Sequence, residues 1–336
     1  MSYGASQSSC AGCQCISLCK ININKGKGMY YGLDIGGTKI ELAIFDTQLA
    51  LQDKWRLSTP RQDYNAFMAT LAEQIEKADR QCGERGTVGI ALPGVVKADG
   101  TVISSNVPCL NQRRVAHDLA KLLNRTVAIG NDCRCFALSE AVLGVGRGHS
   151  RVLGMILGTG TGGGLCIDGK LYLGANRLAG EFGHQAVSAN VARRHQLPLY
   201  ACGCGLEGCA ETYVSGTGLG RLYQDIAGQT ADTFTWLSAL RQNDPLAIKT
   251  FETYMDILGS LMASLVLAMD PDIIVLGGGL SEVEEILAAL PQATKAHLFD
   301  GVTLPQFKLA DFGSASGVRG AALLGHGLDA GISYEA

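Results

Sequence analysis

The chain has 336 residues, of which 47% are hydrophobic and 18% are charged, and its formal net charge is −3. This composition is typical of a globular protein, and the length allows two domains that share a cleft. No apolar run approaches the roughly 20 residues that span a bilayer, and no large basic block favours nucleic acid as a partner. We therefore expect neither a membrane nor a nucleic acid among its partners.

The segment before Met29 differs from the rest of the chain. Residues 1–28 are polar, lack a long apolar periodicity and contain Cys10, Cys13, Cys15 and Cys19. Clustered thiols in a segment of low hydrophobicity do not make a metal site by themselves, and the segment has no apolar signal-peptide core. We expect a disordered extension here, and the remaining cysteines fit a reduced, cytoplasmic setting.

A hairpin rich in glycine follows. Two apolar strands, 30–35 and 40–45, flank a turn with the sequence Gly36-Gly37-Thr38-Lys39. Glycines at such a turn let backbone N–H groups face a phosphate, and Thr38 and Lys39 can add donors. Asp34, at the end of the first strand, could hold a hydrated magnesium ion. The spacing is not that of a P-loop, and taken alone the segment could be an ordinary hairpin.

The same pattern recurs about 125 residues later. A strand at 152–157 precedes a turn predicted at 158–164, and a second strand is predicted at 165–168. The turn contains Thr159, Gly160, Thr161 and Gly162. A third cluster, which includes Gly277 and Gly278, follows a strand at 273–276 and precedes a helix predicted near Ser281. Strand ends that open onto helix N-termini are where α/β folds place nucleotides, so two such hairpins could hold a polyphosphate from both sides.

Asp132 stands between these turns, where a predicted strand at 127–129 ends and a helix over 133–145 begins. Aspartate is among the best helix N-caps, so one interpretation is purely structural. The alternative is a carboxylate at the floor of a cleft that accepts a proton from a substrate hydroxyl. Both interpretations can hold at once.

A candidate metal site lies in the long segment without periodicity that follows residue 167. Its candidate ligands are the imidazole of His184 and the thiols of Cys202, Cys204 and Cys209. This set matches a closed Cys3His zinc site, which takes four N or S ligands in a tetrahedron. Glu181 and Glu211 flank the ligands, so a bound zinc would fix two carboxylates as a platform for a polar ligand. Four protein ligands leave no open position for catalysis by the metal.

The predicted elements divide the chain into two lobes. We expect a small N-terminal lobe over 29–145 and a large C-terminal lobe over 146–314, with helices predicted at 215–226 and 244–269. A last helix, within 315–328, is expected to return to the first lobe.

Together these motifs resemble the ROK family of sugar kinases and sugar-responsive repressors. The residues that carry the resemblance are Asp34–Lys39, Leu157–Gly160, Glu181–His184 and Cys202–Glu211. The resemblance implies the α/β, two-lobed fold of the actin/hexokinase/Hsp70-like ATPases, with a cleft between the lobes. The stretches Ser105–Pro108, Asn131–Asp132 and Asp270–Asp272 are most similar to the family's N-acetylglucosamine kinases.

The resemblance also implies roles for individual residues. Asp132 corresponds to the catalytic base, and the two glycine-rich hairpins correspond to the phosphate-binding turns. Sugar binding is implied for Asn131, Glu181, His184 and Glu211, with Gly94 and Asn106 near the N-acetyl group. Gly277 and Gly278 correspond to the adenosine side. His184 is expected to serve zinc with one ring nitrogen and the sugar with the other.

The implied activity is phosphorylation of N-acetylglucosamine at its 6-hydroxyl by ATP and Mg2+, in a protein with structural zinc. Family members are commonly homodimers, which implies the same state here. Glucose, fructose and N-acetylmannosamine remain alternative substrates. A non-catalytic repressor is disfavoured, because such proteins carry an N-terminal helix-turn-helix. The first 28 residues show neither the helical periodicity nor the basic face of such a motif.

Overall fold

The computed structural model describes residues 28–104 and 106–335. The expected disordered extension therefore lies outside the described residues, apart from Gly28. Two five-stranded sheets dominate the described part of the chain, and helices cover them.

The first sheet has the strand order β3-β2-β1-β4-β7. Its strands are β1 (Tyr30–Ile35), β2 (Lys39–Phe45), β3 (Leu51–Ser58), β4 (Thr87–Leu92) and β7 (Val127–Asn131), and a separate small ribbon joins β5 (Val95–Val96) to β6 (Val102–Ile103). Strand β1 pairs antiparallel with β2 and parallel with β4. Apolar residues of β1, β2 and β4 alternate between two faces, and one face packs against α1 (Tyr64–Cys82) and α2 (Val115–Leu123).

The second sheet has the order β10-β9-β8-β11-β12. Its strands are β8 (Arg151–Leu157), β9 (Thr161–Ile167), β10 (Lys170–Tyr172), β11 (Ile273–Gly277) and β12 (Gln306–Leu309). The helices of this half are α4 (Ala189–His195), α5 (Glu211–Val214), α6 (Gly216–Ala227), α7 (Thr233–Arg241), α8 (Pro245–Met269) and α9 (Glu284–Lys295). Most of them contribute to one large apolar cluster against this sheet.

Helix α8 has 25 residues and, by length and composition alone, is apolar enough to cross a membrane. A helix over 244–269 was predicted from the sequence, although no run long and apolar enough to span a membrane was expected. In the structure, 67% of the helix's most apolar window is buried, and the helix packs against α6 and α9. This burial is that of a core helix.

Two helices lie between the sheets and place the candidate base. Helix α3 (Asp132–Val142) packs on β8 and β9, whereas α10 (Ser316–Ala330) packs on β1 and β4. The two helices meet closely, because a Cβ on Gly320 would stand 1.9 Å from the carbonyl oxygen of Cys135. The close approach requires glycine at this position and brings the start of α3 to the region between the two sheets.

Three details of the sequence prediction are wrong. Asn131, and not Asp132, is the N-cap of α3, and its side chain accepts a hydrogen bond from the amide of Arg134 at 3.1 Å. The second turn is shorter than predicted because Thr161 already belongs to β9. The segment at Ser281 is a 3-10 turn, Gly279–Glu282, and the α-helix after it begins at Glu284.

Candidate active site

Asp132 is the first residue of α3, directly after the end of β7. Its Oδ1 accepts hydrogen bonds from the amide of Cys133 at 2.8 Å and from the side chain of Asn131 at 3.0 Å. Burial, together with the negative charge of Glu181, raises the pKa of Asp132 to about 6. A carboxylate with this pKa is ionised near neutral pH and can still accept a proton efficiently.

Asn131 connects this carboxylate to the loop after β4. Its side-chain amide also donates to the carbonyl oxygen of Gly94 at 2.9 Å. Gly94 has φ +107°, and a Cβ there would stand 2.0 Å from the carbonyl oxygen of Ile103. Glycine is therefore required, and the structure brings together Gly94, Asn131 and Asp132, which the sequence predicted as sugar-side residues.

The first glycine turn lies beside a second half-buried carboxylate, that of Asp34. The turn is closed by a hydrogen bond from the amide of Gly36 to the carbonyl of Lys39 at 2.8 Å, and Thr38 and Lys39 are exposed. Burial and the charges of Asp132 and Glu41 raise the pKa of Asp34 to about 7. Asp34 and Asp132 thus repel each other, and a cation placed near them would relieve that repulsion.

Gly37 of the same turn faces the loop that contains Asn106. A Cβ at Gly37 would stand 3.3 Å from the carbonyl oxygen of Asn106. The structure therefore brings a residue predicted to bind phosphate next to one predicted to bind sugar.

The second turn and the start of β9 contact α3, α5 and β11. A Cβ at Gly162 would stand 3.0 Å from Sγ of Cys133, immediately after Asp132. Glu211, at the start of α5, accepts a hydrogen bond from the amide of Thr161 at 2.9 Å. Gly278 has φ +83° and packs on the carbonyl of Leu157, so the third glycine cluster lies against the start of this turn, whereas Gly277 packs on Phe136.

The four predicted metal ligands form one cluster. The ligand atoms of His184, Cys202, Cys204 and Cys209 all lie within 4.8 Å of one another, and the three cysteines are not in disulfides. Sγ of Cys204 is 3.6 Å from Sγ of Cys209, and Sγ of Cys202 is 3.5 Å from Nδ1 of His184. Tetrahedral zinc with its usual bond lengths would separate such donors by about 3.6–3.8 Å, so the cluster fits the ion.

The ring orientation of His184 leaves one nitrogen for another partner. Nδ1 faces the thiols, whereas Nε2 lies 3.9 Å from Oε2 of Glu181. The other carboxylate oxygen of Glu181 accepts a hydrogen bond from the guanidinium of Arg134 at 3.1 Å. An imidazole nitrogen and a carboxylate oxygen are therefore neighbours at the edge of the metal cluster, where both can bind hydroxyl groups.

One pocket next to the second turn was not predicted from sequence. It has a volume of about 690 Å3, and Thr217 and Phe234 are among the residues that line it. The start of α6 fixes it against the turn, because the amide of Gly216 donates to the carbonyl of Gly158 at 2.7 Å and Oγ1 of Thr217 to that of Thr159 at 3.0 Å. The ring of Phe234 is 82% exposed, but Phe234 lies in a helix that was not predicted. No sequence pattern therefore indicated this pocket in advance.

Comparison with known proteins identifies the family of the chain. The model of the ROK family matches residues 30–327. Over 308 residues the chain is 96% identical to an N-acetylgalactosamine kinase of Shewanella sp. (strain ANA-3), covering 92% of this chain and 100% of that protein. It is 42% identical to an N-acetyl-D-glucosamine kinase of Yersinia pseudotuberculosis (serotype IB, strain PB1/+), with 88% and 98% covered.

A solved structure also matches over almost its whole length. It is the ROK hexokinase from Thermus thermophilus, with a TM-score of 0.79 and 33% identity, covering 88% of this chain and 97% of that one. Family model, relatives and fold therefore agree with one another. The chain belongs to the ROK family and is a sugar kinase of that family.

Proposed function

We propose that this kinase transfers the γ-phosphoryl group of ATP to the 6-hydroxyl of N-acetylgalactosamine. The observation that carries the choice of sugar is the 96% identity to an N-acetylgalactosamine kinase over the whole of that relative. N-acetylglucosamine, which the sequence analysis placed first, becomes the second candidate, supported by relatives at 42% identity. The two sugars differ only in configuration at C4.

Asp132 is proposed as the general base. Its carboxylate accepts the proton of the sugar's 6-hydroxyl while that oxygen forms a bond to the γ-phosphorus. The bond between the γ-phosphorus and the bridging oxygen breaks, and ADP leaves with the electron pair. Hydrogen bonds from Cys133 and Asn131 hold Oδ1, which keeps the carboxylate oriented for this step.

The sugar is proposed to lie between Asn131 on one side and the pair of Glu181 and His184 on the other. Oε2 of Glu181 accepts from one hydroxyl, and Nε2 of His184 bonds to another. The loop with Gly94 and Asn106 faces the N-acetyl group. The support for this placement is threefold: Asn131, which neighbours Asp132, bonds to Gly94, the charge of Glu181 acts on Asp132, and His184 lies 3.9 Å from Glu181.

Two metal ions are proposed. Asp34 fits a hydrated magnesium ion, because a cation would offset the burial and the repulsion that raise its pKa. Magnesium, when bound, would neutralise charge on the phosphate oxygens. Zinc fits the cluster of His184 and the three cysteines, where it would hold the wall that presents Glu181 and His184.

The nucleotide is proposed to bind along the second turn. The amides of the first and second turns contact its phosphates. The pocket lined by Thr217 and Phe234 receives the adenosine, together with the cluster of Gly277 and Gly278, of which Gly278 packs on Leu157 and Gly158. Phe234 offers an exposed ring against which a base can stack. We further propose that the two lobes meet at residues 145/146 and 314/315. The protein is proposed to be a homodimer, which light scattering of the purified protein tests.

A coupled ADP assay tests the substrate. The panel consists of N-acetylgalactosamine, N-acetylglucosamine, N-acetylmannosamine, glucose and fructose, and 31P and 1H NMR of the product locates the phosphate. We expect the highest kcat/KM for N-acetylgalactosamine, with the phosphate on O6. A higher kcat/KM for N-acetylglucosamine would transfer the proposal to that sugar.

A further inference from the structure

Arg134 is a buried cation in the site that has no role in the mechanism above. It is the third residue of α3, two positions after Asp132, and its side chain is 3% exposed. The strand opposite provides room for it, because a Cβ at Gly164 would stand 3.1 Å from its Cα. A buried arginine needs a partner for its charge, so its contacts are informative.

Both contacts reach the segment that leads into the metal cluster. Nε donates to the carbonyl of Ala179 at 2.9 Å, and a terminal guanidinium nitrogen donates to Oε1 of Glu181 at 3.1 Å. The guanidinium is planar and rigid, so two bonds to neighbouring groups fix both the backbone and the carboxylate. The helix that begins with Asp132 thereby holds the position of Glu181.

The ion pair also determines which oxygen of Glu181 is available. Oε1 is occupied by Arg134, whereas Oε2 lies beside Nε2 of His184 at 3.9 Å. The side chain of Glu181 is 28% exposed and would adopt several rotamers without the pair. A fixed acceptor loses less conformational entropy when the sugar binds.

We infer that Arg134 is a positioning residue that orients Glu181 for the sugar and links this contact to the helix of the catalytic base. The inference rests on the proposed function. It assigns Arg134 no contact with substrate. Its effect is expected on sugar binding, in the ground state and the transition state alike, and hence on KM.

The test uses two substitutions and one matched control. Arg134→Met removes the charge and keeps most of the stem, whereas Arg134→Lys keeps the charge without the planar fork. Arg125→Met is the control, because Arg125 forms another largely buried ion pair, with Asp79, at 12% and 18% exposure. All are compared with wild type for kcat and KM, and for sugar affinity by calorimetry without nucleotide.

We expect Arg134→Met to raise sugar KM and Kd by roughly 10- to 100-fold while kcat changes by less than about 3-fold. Arg134→Lys should fall between Arg134→Met and wild type, and Arg125→Met should lower Tm and leave sugar KM within about 2-fold. In a Glu181→Gln background, Arg134→Met should add less than about 2-fold, because its effect passes through Glu181.

An unchanged sugar KM in Arg134→Met would overturn the inference. So would an equal rise in sugar KM when Arg134→Met is added to Glu181→Gln and when it is added to wild type. If Arg134→Met does not fold, Arg134→Lys decides: wild-type KM and Kd would overturn the inference, and a rise in both supports it. Wild-type protein that phosphorylates no sugar of the panel would instead contradict the proposed function.

Discussion

The carboxylate of Glu211 accepts a hydrogen bond from the backbone amide of Thr161 at 2.9 Å. Glu211 comes two residues after the metal-cluster cysteine Cys209, and Thr161 is the first residue of β9 after the second glycine turn. The sequence analysis assigned Glu211 to the sugar. In the structure one of its oxygens is bonded to the residue directly after the turn proposed to bind phosphate, so the metal cluster is connected to the end of that turn.

Substitution of Glu211 should therefore affect both substrates. Glu211→Gln weakens a charge-assisted hydrogen bond, and we expect KM for ATP and for the sugar to rise by about 3- to 30-fold each. Initial-rate kinetics with each substrate varied in turn measures the effect. Glu207→Gln is the control, because Glu207 is exposed in the same cysteine-containing loop. A rise confined to the sugar would restore the original assignment of Glu211.

Asp132→Asn should lower kcat by roughly 10²- to 10⁴-fold, which is the usual contribution of a general base. Sugar affinity measured by calorimetry should stay within a few-fold, because asparagine keeps the shape and one acceptor oxygen. Asp99→Asn, in an exposed turn, serves as the control. Turnover of Asp132→Asn near that of wild type would exclude Asp132 as the base.

The pH dependence of kcat/KM should report the same carboxylate. Burial raises the pKa of Asp132 to about 6, and only the ionised form can accept a proton. The rate constant should thus rise with pH up to about 6 and level off above it, because kcat/KM reports the free enzyme. Initial rates at low sugar concentration between pH 5 and 8 measure this limb, and a profile that is flat over this range would contradict the assignment.

The same shift predicts an effect on stability. Folding raises the pKa of Asp132 from 3.8 to about 6, so the carboxyl loses its proton more readily in the unfolded chain than in the native protein. The group therefore destabilises the native state most at high pH, where it is ionised in both states. Its contribution to the free energy of unfolding therefore falls between about pH 4 and 6 and is constant above. Asp132→Asn should raise Tm more at pH 8 than at pH 4.5, as measured by thermal denaturation; equal shifts at both pH values would contradict the raised pKa.

The proposed adenosine pocket gives a separate prediction for Phe234. Phe234→Ala removes an exposed ring beside the second turn, and we expect KM for ATP to rise by about 5- to 20-fold with sugar KM unchanged. Phe299→Ala is the matched control, because Phe299 is also an exposed phenylalanine, 70% accessible, and does not line the pocket. Equal ATP kinetics in the two variants would place the nucleotide base elsewhere.

The sequence predicted the elements whose apolar pattern is strong and missed those whose pattern is weak. The hairpin of β1 and β2 and helix α8 lie within one or two residues of their predicted bounds. Strand β3 is mostly exposed, with only Trp55 and Leu57 half-buried, and β12 has only four residues at a sheet edge. Both contain too few buried apolar positions for their short alternation to identify a strand.

Within the site, residue types were predictable and their partners were not. Spacing within residues 184–209 identified the metal cluster, because its ligands lie close together in sequence. The bond of Glu211 to Thr161 spans 50 residues, and that of Arg134 to Glu181 spans 47. Such contacts depend on how α3, α5 and β9 pack, which no local pattern encodes. Arg134 was accordingly missed, although it lies two positions from Asp132.

Removal of the metal should weaken sugar binding without affecting the base directly. Cys204→Ser replaces a soft thiolate by a hydroxyl, and we expect zinc to fall from about one ion per chain to well below that. Without zinc, His184 is no longer held in place, so sugar KM should rise by more than about 10-fold. Asp132 should keep its orientation, because Asn131 and Cys133 hold it without the metal. Elemental analysis of purified protein and sugar kinetics measure the two effects.

Cys82→Ser is the control for this substitution, because Cys82 is a half-buried free thiol at the end of α1, in the other sheet's half of the molecule. It should retain zinc and wild-type sugar KM. Active wild-type protein that contains no zinc would remove the metal from the proposal. Retention of zinc in Cys204→Ser together with a raised sugar KM would show instead that the thiol acts on the sugar wall directly, since the two readouts would then have separated.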